Sequence, residues 1–107
     1  MLAIKNATLV MTDHLIPDAV ILVEDGVIVN FGEMRSLPIP AGCEVIDAEG
    51  LYVGPGLVDM HNHSGGGHWF YDEPEAAAQF NLEHGTTSVL ATLYFNMNSE
   101  QLVEQAK

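Results

Sequence analysis

His61 and His63, one residue apart, are the side chains whose type and spacing point most directly to chemistry. They close the short apolar run Leu57-Val58-Asp59-Met60-His61-Asn62-His63. In an extended strand, successive side chains point to opposite faces, so Asp59, His61 and His63 are expected on one face and Met60 and Asn62 on the other. Two imidazoles on one face at that spacing could close on a single divalent cation. A His-x-His pair taken alone is weak evidence, because two polar residues at a strand end give the same pattern. Gly54-Pro55-Gly56 breaks the backbone before the run, and Ser64-Gly65-Gly66-Gly67 follows it as a flexible stretch that would let something approach closely.

Length and composition limit what this pair can belong to. With 107 residues, 48% of them hydrophobic and 17% charged, the chain suits one globular domain with a modest core. Its 15 acidic residues face three basic ones, Lys5, Arg35 and Lys107, giving a net charge of −12. No basic patch can be assembled, which excludes nucleic acid and an anionic membrane surface as expected partners. Cys43 is the single cysteine, so no intrachain disulfide forms, and a reducing, cytoplasmic setting is expected. The N-terminus has no basic segment leading into an apolar run, and no stretch approaches the roughly 18 apolar residues of a membrane span.

The elements that must hold the pair can be read in order. Residues 2–11, 19–23 and 27–32 read as strands. Asp25-Gly26 between the last two is a hairpin signal, since both residues tolerate positive φ. Pro38, Pro40 and Gly42 mark an extended loop, followed by short strands at Glu44–Asp47 and Leu51–Val53. Residues 1–53 therefore read as a small antiparallel β unit. From Gly54 the character changes. Residues 57–63 form an apolar strand without alternation, as in a parallel sheet buried on both faces. Asp72-Glu73-Pro74 opens a helix carrying Ala76, Ala77, Phe80 and His84 at helical spacing, with Gly85 as its stop. Residues 86–93 form another strand, and Asn98 with Gln101 is a capping box for a second helix. The order strand, helix, strand, helix is a βαβ unit with a right-handed crossover expected. Two parallel strands cannot cover both their faces, so the chain reads as the N-terminal part of a longer α/β protein.

Pro55-Gly56-Leu57-Val58-Asp59-Met60-His61-Asn62-His63 resembles the PG-[FL]-[IV]-D-x-H-x-H signature of the amidohydrolase superfamily. His84-Gly85-Thr86-Thr87, with Thr92 beyond it, resembles the H-G-T-T-x-x-x-x-T segment of the N-acetylglucosamine-6-phosphate deacetylases. The glycine run and the aromatic patch His68-Trp69-Phe70-Tyr71-Asp72 fit that group as well. Ser64 departs from the glycine that often follows the second histidine, and some deacetylases of this kind lack both histidines. The resemblance implies an α/β fold: residues 1–54 as the N-terminal part of a β-sandwich, then residues 55–107 as the first βα units of a truncated (β/α)8 TIM barrel. It implies His61 and His63 as metal ligands, with zinc expected and iron, manganese or nickel as alternatives. It places an acidic ligand, two further histidines and the catalytic aspartate beyond Lys107.

The activity so implied is metal-assisted hydrolysis of an amide, with an amino-sugar phosphate, N-acetylglucosamine 6-phosphate, as the small-molecule substrate. Another amidohydrolase, a dihydroorotase-like cyclic amidase or a deaminase, is the alternative. A third reading is a fragment with no chemistry of its own, whose exposed strand edges make it a homo-oligomer. Asp59 would either orient an imidazole or hold backbone N–H groups. His14 reads as a solvated turn residue, His68 as a loop residue packed on Trp69, and His84 as a helix C-terminal cap. Gly65-Gly66-Gly67 could offer N–H groups to an anion, but with no lysine or arginine nearby a plain connection is expected. Met34, Met97 and the aromatic residues read as core or surface.

Overall fold

The structure is a computed structural model and describes residues 1–93 and 96–107; Tyr94 and Phe95, read above among the aromatics, lie outside the described residues. The chain divides into two compact units, Met1–Pro55 and Gly56–Lys107.

The first unit is a five-stranded sheet. Its strands are β1 (Leu2–Val10), β2 (Leu15–Glu24), β3 (Val27–Glu33), β4 (Glu44–Asp47) and β5 (Tyr52–Val53). Strands β3, β2 and β1 form antiparallel neighbours, and β4 and β5 both pair with β1. The β2–β3 connection is the expected two-residue hairpin: Asp25 and Gly26 have φ of 51° and 76°, and Glu24 faces Val27 across it. The β4 and β5 pairings correct the expectation of an antiparallel unit, because both run parallel to β1. The reason is the segment from Met34 to Cys43. Its Met34, Leu37, Ile39 and Cys43 pack on buried Ala3, Val20 and Leu22, so the chain crosses the sheet and β4 enters beside β1 in the same direction. A second apolar cluster is built on Ala7, Leu9, Ala19, Ile21 and Ala48.

Strand β1 carries a bulge. Ile4 faces Ile21 and Ala7 faces Ala19, so Lys5 and Asn6 stand opposite a single residue of β2. Asn6 takes a left-handed φ of 53°, which asparagine tolerates better than most residues. Its side-chain amide donates to both carboxylate oxygens of Asp47, at 2.9 and 3.0 Å.

The second unit contains β6 (Leu57–Asn62), β7 (Ser64–Gly65), β8 (His68–Trp69), α1 (Pro74–Glu83), β9 (Thr86–Ala91) and α2 (Ser99–Gln105). Strands β6 and β9 are parallel, with α1 between them in the chain, as the alternating pattern predicts. Pro74 stands in the first turn of α1, and Gly85, with φ of 90°, follows its C-cap His84. The capping box of α2 is present on both sides: Gln101 N–H donates to Asn98 Oδ1, and Asn98 N–H donates to Gln101 Oε1. Burial of β6 on both faces is not found, since Leu57, Val58 and Met60 are exposed on this two-stranded sheet. Among the described residues, no helix is long and apolar enough to cross a membrane.

The Asp47 carboxyl is held below its usual value of 3.8, first by the Asn6 amide, then by the N–H of Glu49, with Lys5 adding to both. A carboxyl depressed in the folded state stabilises fully above its unfolded pKa and loses that contribution as pH falls through the folded value. Asp47→Ala should therefore lower the thermal midpoint at pH 7. The gap between variant and wild type should shrink as melts are repeated below about pH 4; a gap that stays constant with pH would contradict this role.

Candidate metal centre

The His61 and His63 rings meet edge to face, with centroids 4.9 Å apart and planes at 81°. Their Nε2 atoms lie 3.1 Å from each other. Two nitrogens bound at about 2.05 Å to one cation, at an angle between about 90° and 109°, stand about 2.9–3.3 Å apart. The separation thus fits two donors of a single metal. The other face of His63 is committed as well: its Nδ1 lies 3.1 Å from the carbonyl oxygen of Thr92, just past the end of β9. A carbonyl can only accept, so Nδ1 carries the hydrogen and Nε2 is the accepting nitrogen of His63. With that tautomer, His61 Nε2–H is the donor of the pair.

The strand reaches this arrangement by departing from regular pairing. Asp59 faces Val89 and Asn62 faces Ala91, so Met60 and His61 together stand opposite Leu90 alone. This is a bulge of one residue in β6. Asp59 Oδ1 accepts the N–H of His61 at 3.1 Å, an Asx turn that closes the extra residue. Asn62 repeats the device one step later, its Oδ1 accepting the Ser64 N–H at 2.9 Å. Asn62 Nδ2 then donates to Asp59 Oδ2 and to Asn81 Oδ1, both at 3.0 Å.

Asp59 therefore takes the second of its two readings: its carboxylate holds backbone and amide N–H groups. The extra residue interrupts the period-two alternation from which a face shared with the imidazoles was argued. Among the described residues, no group of three or more His, Cys, Asp or Glu side chains is placed to hold a metal. The two histidines are at most half of a four-ligand set.

The remaining candidates resolve into structural roles. His84 Nδ1 donates to the Phe80 carbonyl at 2.8 Å and its ring stacks on Phe80, so it caps the C-terminus of α1 as expected. His14 is exposed beside Asp13. His68, expected to pack on Trp69 in a loop, lies in β8 with Nδ1 2.8 Å from Glu73 Oε2, while Trp69 stacks on Tyr71.

The glycine run, expected to be a flexible connection, is a tight β7–β8 hairpin. Ser64 faces Trp69, Gly65 faces His68, and Gly66 and Gly67 turn with φ of 61° and 87°. Gly65 is needed for space: a Cβ there would lie 2.5 Å from Asn81 Nδ2 and 2.6 Å from the Ala77 carbonyl oxygen. What approaches the glycines closely is α1. Asn62 and Asn81 were not singled out by sequence reasoning. The available signal was a polar residue four positions after Ala77 on the helical face otherwise read as apolar. Thr92 also lines a cavity of about 310 Å3 bounded by Phe70, Tyr71 and Gln105.

Two outcomes test this geometry. Gly65→Ala should cost about 1–3 kcal/mol in denaturant unfolding, because the helix backbone cannot yield as a flexible side chain would. The chain should bind zinc or nickel saturably in calorimetric titration, and His61→Ala or His63→Ala should abolish it. Undiminished binding by either variant would show that the metal sits elsewhere.

No family model matches the chain. A dihydroorotase of Ruminiclostridium cellulolyticum is 44% identical over 70 residues, which are 64% of this chain and 16% of that protein. The structure of a D-hydantoinase (dihydropyrimidinase) from Thermus sp. superposes with a TM-score of 0.68 at 31% identity, covering 96% of this chain and 23% of that one. The N-acetylglucosamine-6-phosphate deacetylase of Pasteurella multocida has the same fold over 96% of this chain and 28% of its own, with a TM-score of 0.76 at 20% identity. The chain thus spans under a third of each of these three proteins. The likeness in sequence is to enzymes named as a dihydroorotase and a D-hydantoinase, over part of each, and the deacetylase shares the fold.

Proposed function

We propose that this chain supplies the first two metal ligands, His61 and His63, of a divalent-metal-dependent hydrolase of amide C–N bonds. The observation that carries this is the 3.1 Å separation of the two Nε2 atoms, with His63 Nδ1 on the Thr92 carbonyl. A divalent cation, when bound, polarises the amide carbonyl and lowers the pKa of its water to about 7. The chain's own contribution is to present two imidazoles in a set orientation. The Thr92 carbonyl holds the tautomer of His63, and the β6 bulge holds the backbone of His61. Carboxylate–imidazole or carbonyl–imidazole pairs of this kind orient ligands and raise their basicity.

For the substrate, the His84-Gly85-Thr86-Thr87 segment with Thr92 supports deacetylation of N-acetylglucosamine 6-phosphate to glucosamine 6-phosphate and acetate. A second reading, opening of a cyclic amide, is favoured by the 44% identity to the dihydroorotase and the 31% identity to the D-hydantoinase. Both reactions attack an amide carbonyl, so both need the same pair.

A full-length protein containing this chain should release acetate from N-acetylglucosamine 6-phosphate, lose the activity to a chelator and regain it with zinc. Ring opening of a dihydropyrimidine or hydantoin without acetate release would select the second reading. Hydrolysis of neither, or an activity indifferent to both chelator and His61→Asn, would overturn the proposal.

A further inference from the structure

We infer that Asn81 on α1 is a positioning residue for the His61–His63 pair, acting through Asn62. Every polar atom of the Asn62 side chain is occupied. Its Oδ1 accepts from Ser64, and its Nδ2 divides between Asp59 and Asn81. The Asp59 carboxylate is thereby held where its other oxygen takes the N–H of His61. Asn81 is the outer anchor of this chain of bonds. Its Nδ2 donates to the Ala77 carbonyl at 2.8 Å, which fixes the amide with Oδ1 toward Asn62, and it reaches the Ser64 carbonyl at 3.5 Å. The side chain is half-buried, and Gly65 leaves the room it needs.

Asparagine is a poor helix former, so the helix alone gives no reason for it at this position. The reason lies across the gap, at a strand end where one extra residue must be kept in place. A bulge re-aims a side chain at the cost of unpaired backbone groups. Here Asp59 takes the N–H of His61, Asn62 donates to the other Asp59 oxygen, and Asn81 ties Asn62 to a rigid element. Without Asn81, the Asn62 amide loses one partner and the hairpin carbonyl of Ser64 another. The Asx turn at Asp59 is then free to revert to regular pairing, and a register change of one residue redirects the side chains beyond it.

The test uses the 107-residue chain labelled in histidine, with Asn81→Leu and Asn62→Ala as variants. The first readout needs no metal: a nuclear Overhauser effect between the ring Hε1 protons of His61 and His63. The second is zinc or nickel affinity by calorimetry, and only this arm rests on the metal reading proposed above. The wild type should show the ring contact. Both variants should lose it and bind metal about tenfold or more weakly, as supporting residues behind metal ligands usually do. The backbone amide signals of α1 should stay in place, which a merely structural effect on the helix would not allow.

An unchanged ring contact and affinity in either variant overturns the inference, as does a wild type without the contact. If Asn81→Leu disperses the α1 signals, Asn62→Ala, which leaves the helix intact, decides by the same two readings. A wild type with the ring contact but no metal affinity removes the metal reading and leaves the positioning role to be judged on the contact.

Discussion

A strand paired in parallel with one neighbour offers its N–H and C=O groups at even intervals, and each added residue must find other partners. At the end of β6 the added residue is accommodated by one carboxylate. Asp59 gives one oxygen to the His61 N–H and the other to the Asn62 amide. Hydrogen bonds to a charged acceptor contribute about 1.5–3 kcal/mol net. That exceeds the roughly 0.5–1.5 kcal/mol of a neutral pair. The convergence of the two imidazoles follows from that local exchange, because His61 sits inside the bulge and His63 just past it.

The support for this exchange is a layer of small residues. Ala77 is fully buried and Gly65 lies close on the helix backbone, so α1 comes within hydrogen-bonding reach of the strand end. A larger residue at either place would push Asn81 beyond contact with Asn62. The same economy of volume appears at Gly56, where a Cβ would meet the Thr87 side chain at 2.1 Å. Thr87 is the extra residue of β9, since Leu57 faces Thr86 while Val58 faces Ser88. The parallel pair thus carries one irregularity on each strand, and a glycine makes room beside one of them.

What the sequence conveys about this fold depends on how far apart the interacting residues are. The Asp25-Gly26 hairpin, the Glu44–Asp47 strand, the Gly85 stop and the Asn98–Gln101 box are local, and each stands in the structure where its residues predict. The parallel entry of β4 beside β1 was not legible, because it depends on Met34, Leu37 and Ile39 meeting Ala3 and Val20 across the sheet. The β7–β8 hairpin was missed for a different reason. Its strands are two residues long, too short for any alternation to register, and three consecutive glycines read equally as slack chain. The histidine pair was legible from spacing, whereas its support was not. Asn62 and Asn81 are 19 positions apart and neither type is distinctive alone.

The likenesses to a dihydroorotase and to a deacetylase fold need not compete over these residues. Ring opening and deacetylation share an attacked carbonyl and a water to be activated, and they differ in the leaving amine and in what surrounds it. If His61 and His63 hold the metal as proposed, a pair positioned by its own strand and helix answers only to the shared part. Function is carried by sites grafted on folds, and one fold hosts many substrates by changing the loops around a common centre. On the proposed reading, the second unit of this chain, with His61, His63 and the bonds behind them, supplies that common centre. In the proposed enzyme, discrimination between an acetamide and a ring amide then belongs to side chains that touch the leaving group. Variants of the Asp59–Asn62–Asn81 relay would change the rate on both substrates alike, while variants at the leaving-group side would change their ratio.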